Sequence, residues 1–289
     1  MFISEFYRSK KPVVSLEIFP PKKDNPVESI YNTIEELSAL KPDFISVTYS
    51  AGGVGTSEKT AEIASAVKNK YGIEALAHMT CIRLDRAQVA SFVENLKQNN
   101  IQNILGLRGD IPEGLDPRDL PGDFRFARDL IAEISGNYPE ICIGAAAYPE
   151  GHIECESLEK DIEHLKLKVE AGAKFLITQL FFDNELFYRF YEMALKKGVN
   201  IPISAGIMPI LSKSQIQKMI FMCGASLPAA IVKILNRYEH DPEGLIDAGI
   251  EYSCRQINDL IDNGVDGVHI YTMNRPEIAK RSIAAINRR

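Results

Sequence analysis

The sequence has no excess of basic residues. Its 289 residues include 33 lysines and arginines against 39 aspartates and glutamates, which gives a formal net charge of −6. Sequence-independent binding to nucleic acid or to an anionic membrane depends on a basic surface, so neither partner is expected. The composition instead favours chemistry on small molecules.

Long apolar runs and paired cysteines are also missing. No stretch approaches the roughly 20 apolar residues that span a bilayer, and no apolar segment follows the basic residues near the N-terminus as in a secretory signal. The five cysteines form no C-x-x-C pair, and their odd number argues against a complete disulfide framework. We therefore expect a cytoplasmic protein with reduced thiols.

Short apolar, β-branched runs alternate along the chain with longer amphipathic stretches. This alternation is typical of βα units around a parallel sheet. Strands are predicted at Val13–Phe19, Asp43–Thr48, Glu74–Thr80, Asn103–Leu107, Ile141–Ala147, Phe175–Phe181, Ile201–Gly206 and Gly267–Tyr271. Helices are predicted at Val27–Leu40, Glu58–Lys70, Arg86–Gln98, Phe124–Ile134, Leu158–Ala171, Glu185–Lys197, Ser214–Cys223 and Pro276–Asn287.

Eight such units predict an α/β fold of the (β/α)8 TIM-barrel type, as a single domain over residues 1–289. Helical patterns at Pro228–Tyr238 and Pro242–Asn263 predict extra helices between the seventh helix and the eighth strand. A doubly wound open sheet is the competing fold. It is disfavoured because no G-x-G-x-x-G motif follows the first strand.

Glu17 interrupts the apolar run of the first predicted strand. Removing an ionised carboxylate from water costs several kcal/mol unless the group is paired or protonated. Such a glutamate is expected to have a raised pKa and to act as an acid near neutral pH. The alternative, a glutamate at the solvated rim of the strand, is about equally favoured by position alone.

Other polar residues also fall at the ends of predicted strands, where TIM barrels carry their active sites. Singly, each has a structural explanation, such as a core histidine for His78 or a local ion pair between Arg108 and Asp110. Together they predict a barrel mouth with an acid, a cation and several amide or hydroxyl groups, without the ligand set of a catalytic metal. The residues are Glu17, Thr48, Tyr49, His78, Thr80, Arg108, Gly109, Asp110, Tyr148, His152, Thr178, Gln179, Asn274 and Arg275.

The fifth predicted helix carries a polar stripe. Asp161, His164 and Lys168 are spaced i, i+3 and i+7, which places them on one helix face. Beside a barrel mouth, such a stripe suits the hydroxyl and phosphate groups of an extended nucleotide. Spacing alone favours the alternative, a solvated helix face.

Eight short motifs occur in order from one end of the chain to the other. They are Ser15-Leu-Glu-Ile-Phe-Pro-Pro-Lys22, Ser46-Val-Thr-Tyr49, Ala77-His-Met-Thr-Cys81, Leu107-Arg-Gly-Asp110, Ala146-Ala-Tyr-Pro-Glu150 with His152, Thr178-Gln-Leu-Phe-Phe-Asp183, Gly206-Ile-Met-Pro209 and Tyr271-Thr-Met-Asn-Arg275. On these motifs the chain resembles the methylenetetrahydrofolate reductase family, in its short bacterial type that consists of the catalytic barrel alone.

The resemblance implies an FAD-dependent oxidoreductase that uses NADH or NADPH. In the family, the nicotinamide nucleotide reduces the flavin and leaves, and 5,10-methylenetetrahydrofolate then takes the hydride to become 5-methyltetrahydrofolate. The expected partners are therefore these small molecules, and we also expect a homo-oligomer. No dinucleotide fold is present whose ribose-binding residue would distinguish NADH from NADPH.

The resemblance also implies roles for individual residues. Glu17 matches the family's general acid, and Asp110 matches an aspartate beside the flavin and the pterin. Gln179 matches a residue that hydrogen-bonds the substrate. Folate contacts are implied for Gln215 and Arg275.

Two positions depart from relatives: Met219 replaces a phenylalanine that stacks on bound ligand, and Leu167 replaces an arginine beside Lys168. Contacts with FAD are implied for Thr48, Tyr49, Ala51, His78, Arg108, Gly109, Asp110, Ala127, Tyr148, His152, Asp161, His164 and Lys168.

Two other functions use the same barrel mouth. One is a flavin-free, pterin-binding barrel that passes a methyl group to a cobalamin protein. The other is a flavoprotein subunit that receives its electrons from a partner protein. Flavin content separates the first alternative from the reductase, and reduction by NADH or NADPH alone separates the second.

Overall fold

The computed structural model describes residues 1–21, 28–49, 56–111, 114–116 and 119–287. Within them, eight parallel strands follow one another in chain order around a closed barrel, in which β8 pairs with β1. This arrangement confirms the predicted TIM barrel. The strands are β1 (Val13–Ile18), β2 (Phe44–Val47), β3 (Glu74–Thr80), β4 (Asn103–Leu107), β5 (Cys142–Ala147), β6 (Leu176–Thr178), β7 (Ile203–Ile207) and β8 (Gly267–Tyr271).

Helices surround the barrel, and most lie within a few residues of their predicted bounds. Two of them, at Ala229–Arg237 and Pro242–Asp262, are the extra helices predicted before the last strand. A π-helical turn at Ala66–Lys70 continues the helix at Thr56–Ser65. The helices are α1 (Ile3–Ser9), α2 (Glu28–Ser38), α3 (Thr56–Ser65), α4 (Arg86–Gln98), α5 (Ala127–Asn137), α6 (Leu158–Glu170), α7 (Asn184–Lys196), α8 (Lys213–Cys223), α9 (Ala229–Arg237), α10 (Pro242–Asp262) and α11 (Pro276–Asn287).

The sixth strand is shorter than predicted, because its apolar run serves two cores. Leu176 and Ile177 belong to the barrel, whereas Leu180 and Phe182 pack into a separate cluster with residues of α8, α9 and α10. Phe181 stacks on Phe187 of α7, with ring centroids 5.3 Å apart. An apolar run therefore continues past the end of the strand.

The helix α5 starts at Ala127, three residues later than the fourth predicted helix, Phe124–Ile134. The side chain of Asp129 accepts hydrogen bonds from the backbone N–H groups of Arg125 and Phe126, which caps the helix at Phe126. Phe124 is fully buried and precedes this cap. Its apolar side chain belongs to the core but not to the helix.

The sequence analysis did not predict α1, which closes the amino-terminal end of the barrel. Ile3 and Tyr7 are buried there, in one cluster with Phe44 and Phe175. The Ile3 amide donates to Asn103 Oδ1 at 2.8 Å, and the Tyr7 hydroxyl lies 2.8 Å from Ser204 Oγ. A helix of seven residues is too short to display a clear 3.6-residue period.

In the described part of the chain, no helix has both the length and the apolar composition needed to cross a bilayer.

Because α1 contributes to the barrel core, Ile3→Ala is expected to lower the free energy of unfolding by about 2–4 kcal/mol. The matched control is Ile153→Ala, since Ile153 is 58% exposed and its truncation should change stability by less than about 0.5 kcal/mol. Urea unfolding followed by circular dichroism measures both. Equal unfolding midpoints for the two variants would show that α1 is not part of the cooperative core.

Candidate active site

Two adjoining cavities lie at the carboxyl ends of the strands. The larger, of about 810 Å³, is lined by Glu17, Thr48, Tyr49, His78, Gly109, Asp110, Gln179 and Tyr271, among others. The smaller, of about 330 Å³, is lined by Ala127, Asp161, His164, Leu167 and Lys168, among others. Both are lined by Leu107, Arg108, Ala146, Tyr148 and His152, so they form one elongated groove.

Most of the residues selected from the sequence therefore meet in this groove, but Asn274, Gln215, Met219 and Arg275 do not line it. Gln215 Oε1 accepts from the Leu211 amide at 2.7 Å and helps to form the turn before α8. Met219 packs in the apolar cluster beneath α8 and α9, and Arg275 is exposed. Ala51 lies outside the described residues. The site roles implied for these residues and for the other selected residues stay predictions.

Glu17 is placed by the pairing of β1 with both of its neighbours. Ser15 lies opposite His269 of β8, and Glu17 lies opposite Ser46 of β2. Ser15 and Glu17 are two residues apart and share one face of the strand. The Glu17 side chain is 17% exposed, at the junction between the barrel interior and the larger cavity.

Three polar groups converge on one oxygen of the Glu17 carboxylate. His269 Nε2 lies 3.3 Å from Oε2, the Ser46 hydroxyl donates to the same oxygen at 3.5 Å, and His78 Nε2 lies 3.6 Å away. The carboxylate therefore has partners inside the barrel as well as an open side toward the cavity.

His269 is fully buried and links Glu17 to a second hydroxyl. Its Nδ1 lies 2.7 Å from Ser15 Oγ, while its Nε2 faces Glu17. When the Ser15 hydroxyl donates to Nδ1, the proton on the neutral ring resides on Nε2 and points to the carboxylate. Ser15, His269 and Glu17 thus form a linear hydrogen-bonded chain that ends at the cavity.

The pKa of Glu17 differs in direction from the prediction. Burial raises the pKa of this carboxyl, but the hydrogen bond from His269, the electrostatic interactions with the His78 and His269 rings and the Ser46 hydroxyl together hold the pKa below its usual value. The expectation of a raised pKa is wrong, because it did not include His269.

His78 is a neutral neighbour of Glu17 rather than a charged one. Burial lowers the pKa of His78 to about 4, so the ring is neutral near pH 7. Within the described chain, His78 Nε2 has no hydrogen-bond partner and faces the Glu17 carboxylate. His78 lines the larger cavity, although its Nε2 atom is itself buried.

Tyr271 forms part of the floor of the larger cavity. Its hydroxyl donates to the Thr178 carbonyl at 2.7 Å, so the ring lies across β7. A Cβ atom at Gly206 would lie 2.2 Å from the Thr178 oxygen and 2.9 Å from the Tyr271 hydroxyl oxygen. Glycine is required at this position because any side chain would displace Tyr271.

The smaller cavity is lined by several basic side chains and by one buried acid. Lys168 Nζ donates to the Ala146 carbonyl at 2.9 Å and lies 5.4 Å from the centre of the Tyr148 ring. Burial lowers the pKa of Lys168, and burial also raises the pKa of Asp161. Asp161 lies in the first turn of α6, where the helix dipole favours an anion.

Arg108 joins the two cavities and has a partner that the sequence did not indicate. Its guanidinium forms a bidentate pair with Glu154, at 2.5 Å and 3.0 Å. The charge of Arg108 holds the pKa of Glu154 below its usual value. The proposed local ion pair between Arg108 and Asp110 is therefore not the main contact of this arginine.

Sequence reasoning missed His269, Ser15, Ser46 and Tyr271. The predicted site was limited to residues at strand ends, whereas His269 lies in the middle of β8 and Ser15 lies two residues before Glu17. Their polar side chains interrupt apolar strands. Burying such a side chain without a hydrogen bond costs free energy, as it does for Glu17, and this was the signal available in the sequence.

Comparisons with known proteins bear on the family to which this chain belongs. The family model described as methylenetetrahydrofolate reductase matches residues 3–287. The 5,10-methylenetetrahydrofolate reductase of Escherichia coli (strain K12) is 34% identical over 266 residues, which cover 92% of this chain and 88% of the relative. Methylenetetrahydrofolate reductase (NADH) 1 of Arabidopsis thaliana is 34% identical over 90% of this chain.

The aligned part of the chain spans 46%, or about half, of the length of the plant relative. A solved structure with the same fold is an uncharacterised Clostridium thermocellum protein that binds two copies of 5-methyl-5,6,7,8-tetrahydrofolic acid. It has a TM-score of 0.69 and 17% identity, and the alignment covers 98% of this chain and 96% of that chain. From the family match and the extent of the bacterial alignment, this chain belongs to the methylenetetrahydrofolate reductase family.

Proposed function

We propose that this protein reduces 5,10-methylenetetrahydrofolate to 5-methyltetrahydrofolate, with FAD as the hydride carrier and NADH or NADPH as the donor. Family membership supports the reaction, and the plant relative's name makes NADH one of the donors to test. The observation that carries the proposal is the Ser15–His269–Glu17 chain, which ends at a cavity continuous with a polar groove. That arrangement places a proton source beside room for an extended cofactor.

The smaller cavity has the donor set that the nucleotide half of FAD requires. Asp161 offers a buried carboxylate for ribose hydroxyls, and Lys168 and Arg108 offer cations for a pyrophosphate. Leu167 also lines this cavity, in a position where an arginine would add a further cation. The bound flavin would supply hydride transfer, which no side chain provides.

The larger cavity has groups suited to a pterin or a nicotinamide. Gln179 Oε1 accepts from the Leu180 amide at 2.9 Å, which orients the side-chain amide at the cavity wall. The neutral His78 ring lines this cavity, and Asp110 is exposed at the same cavity. A carboxylate at Asp110 would favour a cationic iminium form of the substrate.

Ring opening of the substrate requires a proton at N10, and we assign its source to Glu17 together with His269. A carboxyl whose pKa lies below its usual value is a poor acid by itself near neutral pH. In the proposed step the Glu17 carboxyl carries one additional proton, while the Nε2–H of His269 keeps its hydrogen bond to Oε2. After the transfer, the Glu17 carboxylate stabilises the positive charge left on the substrate.

The proposal predicts the sequence of colour changes in anaerobic stopped-flow spectroscopy. The full chain loaded with FAD should lose its visible flavin absorption on mixing with NADH or NADPH and regain it on addition of 5,10-methylenetetrahydrofolate. A flavoprotein that neither nucleotide reduces would indicate electrons from a partner protein. A chain that binds no FAD would favour the methyl-transfer barrel.

Glu17→Gln is expected to separate the two half-reactions. Flavin reduction by the nicotinamide should continue at nearly the wild-type rate, whereas reoxidation by the folate should slow by at least about 100-fold, because the proton donor is lost. Glu192→Gln, at a side chain 71% exposed on α7, is the matched control. Reoxidation at the wild-type rate in Glu17→Gln would assign the acid role to another group.

Variants of His269 test whether it positions and protonates Glu17. His269→Asn removes the hydrogen bond that lowers the pKa of Glu17, so the pH profile of the folate half-reaction should shift to higher pH. Ser15→Ala keeps the imidazole but frees its tautomer, and a smaller shift in the same direction is expected.

The nicotinamide half-reaction is the internal control for both variants, since it needs no proton from this chain. Folding of each variant is checked by thermal unfolding. A pH profile identical to wild type in folded His269→Asn would exclude a role for His269 in the acid function.

A further inference from the structure

Three metal-ligating side chains converge at the wall of the smaller cavity. The ligand atoms of Cys155, Asp161 and His164 all lie within 4.8 Å of one another. Cys155 Sγ is 3.9 Å from His164 Nδ1. In the part of the chain that the structure describes, this is the one such group of three histidine, cysteine or acidic residues.

The local backbone holds the three residues together. Ser157 caps α6 by accepting from the Lys160 amide, and Asp161 and His164 follow on one face of that helix at i and i+3. Cys155 lies in a turn before the cap, and the Cys155 amide donates to the His152 carbonyl at 2.8 Å. Two ligands therefore come from a helix and the third from the turn that leads into it.

The ligand types and their spacing suit zinc. Zinc prefers thiolate, imidazole and carboxylate ligands, with bonds of about 2.3 Å to sulfur and about 2.0 Å to nitrogen. At a tetrahedral angle these bonds separate sulfur and nitrogen by about 3.5 Å. The present 3.9 Å between Cys155 Sγ and His164 Nδ1 would need to shorten by only about 0.4 Å, within the reach of small side-chain rotations.

Accessibility and charge agree with a cation site. His164 is exposed and Cys155 is partly exposed, so an ion can enter from solvent, whereas Asp161 is buried and 7% exposed. The positive charge of Lys168 disfavours a second cation near Asp161. The Lys168 ammonium group, however, is held by its hydrogen bond to the Ala146 carbonyl. Coordination converts the Cys155 thiol to a thiolate and releases its proton to solvent, which adds one negative charge to the site.

We propose that Cys155, Asp161 and His164 bind a zinc-type divalent cation, with a water molecule as the fourth ligand. Three protein ligands are typical of an exchangeable site rather than of a closed structural one. Since Asp161 and His164 also line the smaller cavity, an ion held there occupies space that the nucleotide half of FAD would need. Zinc therefore competes with FAD, and this second statement rests on the proposed function.

Cobalt(II) is the direct probe of the site, because it replaces zinc and has visible spectra. Titration of the chelator-treated full chain with CoCl₂ should give a thiolate-to-cobalt absorption that saturates at one equivalent and is abolished by ZnCl₂. Release of one proton per ion, measured in weakly buffered solution, should accompany binding. No thiolate absorption at one equivalent would overturn the proposal.

Variants assign the ligands. Cys155→Ser should abolish the thiolate absorption, and His164→Ala should weaken zinc binding by at least about tenfold in competition with a chromophoric chelator. Cys254→Ser, at a partly buried cysteine on α10, is the matched control and should bind cobalt as wild type does. Thiolate absorption that persists in Cys155→Ser would place the metal at another cysteine and refute the site.

Competition with FAD is a separate measurement. Apparent FAD affinity, followed by flavin fluorescence quenching, should fall at least about tenfold when ZnCl₂ saturates the wild-type chain, and this effect should disappear in Cys155→Ser. If cobalt binds through Cys155 but zinc leaves FAD affinity unchanged, the metal site stands and the proposed position of the cofactor fails. If FAD does not bind at all, the proposed function fails while the cobalt titration still decides the site.

Discussion

The pairing of β1 with both β8 and β2 is the constraint on which the rest of this site depends. In a closed parallel barrel each strand has two fixed neighbours, and here the register sets Ser15 opposite His269 and Glu17 opposite Ser46. A shift of β1 by one residue would turn Ser15 and Glu17 to the other face of the sheet. The acid, its imidazole partner and the hydroxyl behind it would then be separated together.

The same constraint explains the low pKa of Glu17. A buried carboxyl without partners would be neutral, but three polar groups from β2, β3 and β8 surround one of its oxygens. The acid role proposed for Glu17 therefore depends on these partners as well as on the carboxyl itself. The smaller cavity is built differently, from the capped helix α6 and the turn before it. The helix places the acid Asp161 and the cation Lys168 near the ends of β4 and β5.

Much of the fold was predictable from sequence, because each βα unit carries a local signal. The strands at Glu74–Thr80, Asn103–Leu107 and Gly267–Tyr271 form with the predicted bounds. The errors arose where an apolar residue serves a different contact from the one assumed, as at Phe124 before α5 and Leu180 after β6. The helix α1 was missed because its contribution comes from two side chains packed against residues distant in sequence.

The candidate site was likewise predictable from the sequence only in part. The sequence by itself determined that polar residues gather at the carboxyl ends of the strands, since strand and helix periods are local properties of the chain. The tertiary structure alone decided which of them touch: His269 reaches Glu17 across 252 positions, and Arg108 pairs with Glu154 rather than with Asp110. Strand register and barrel closure depend on contacts between distant segments, so no local pattern encodes the partner that lowers the pKa of Glu17.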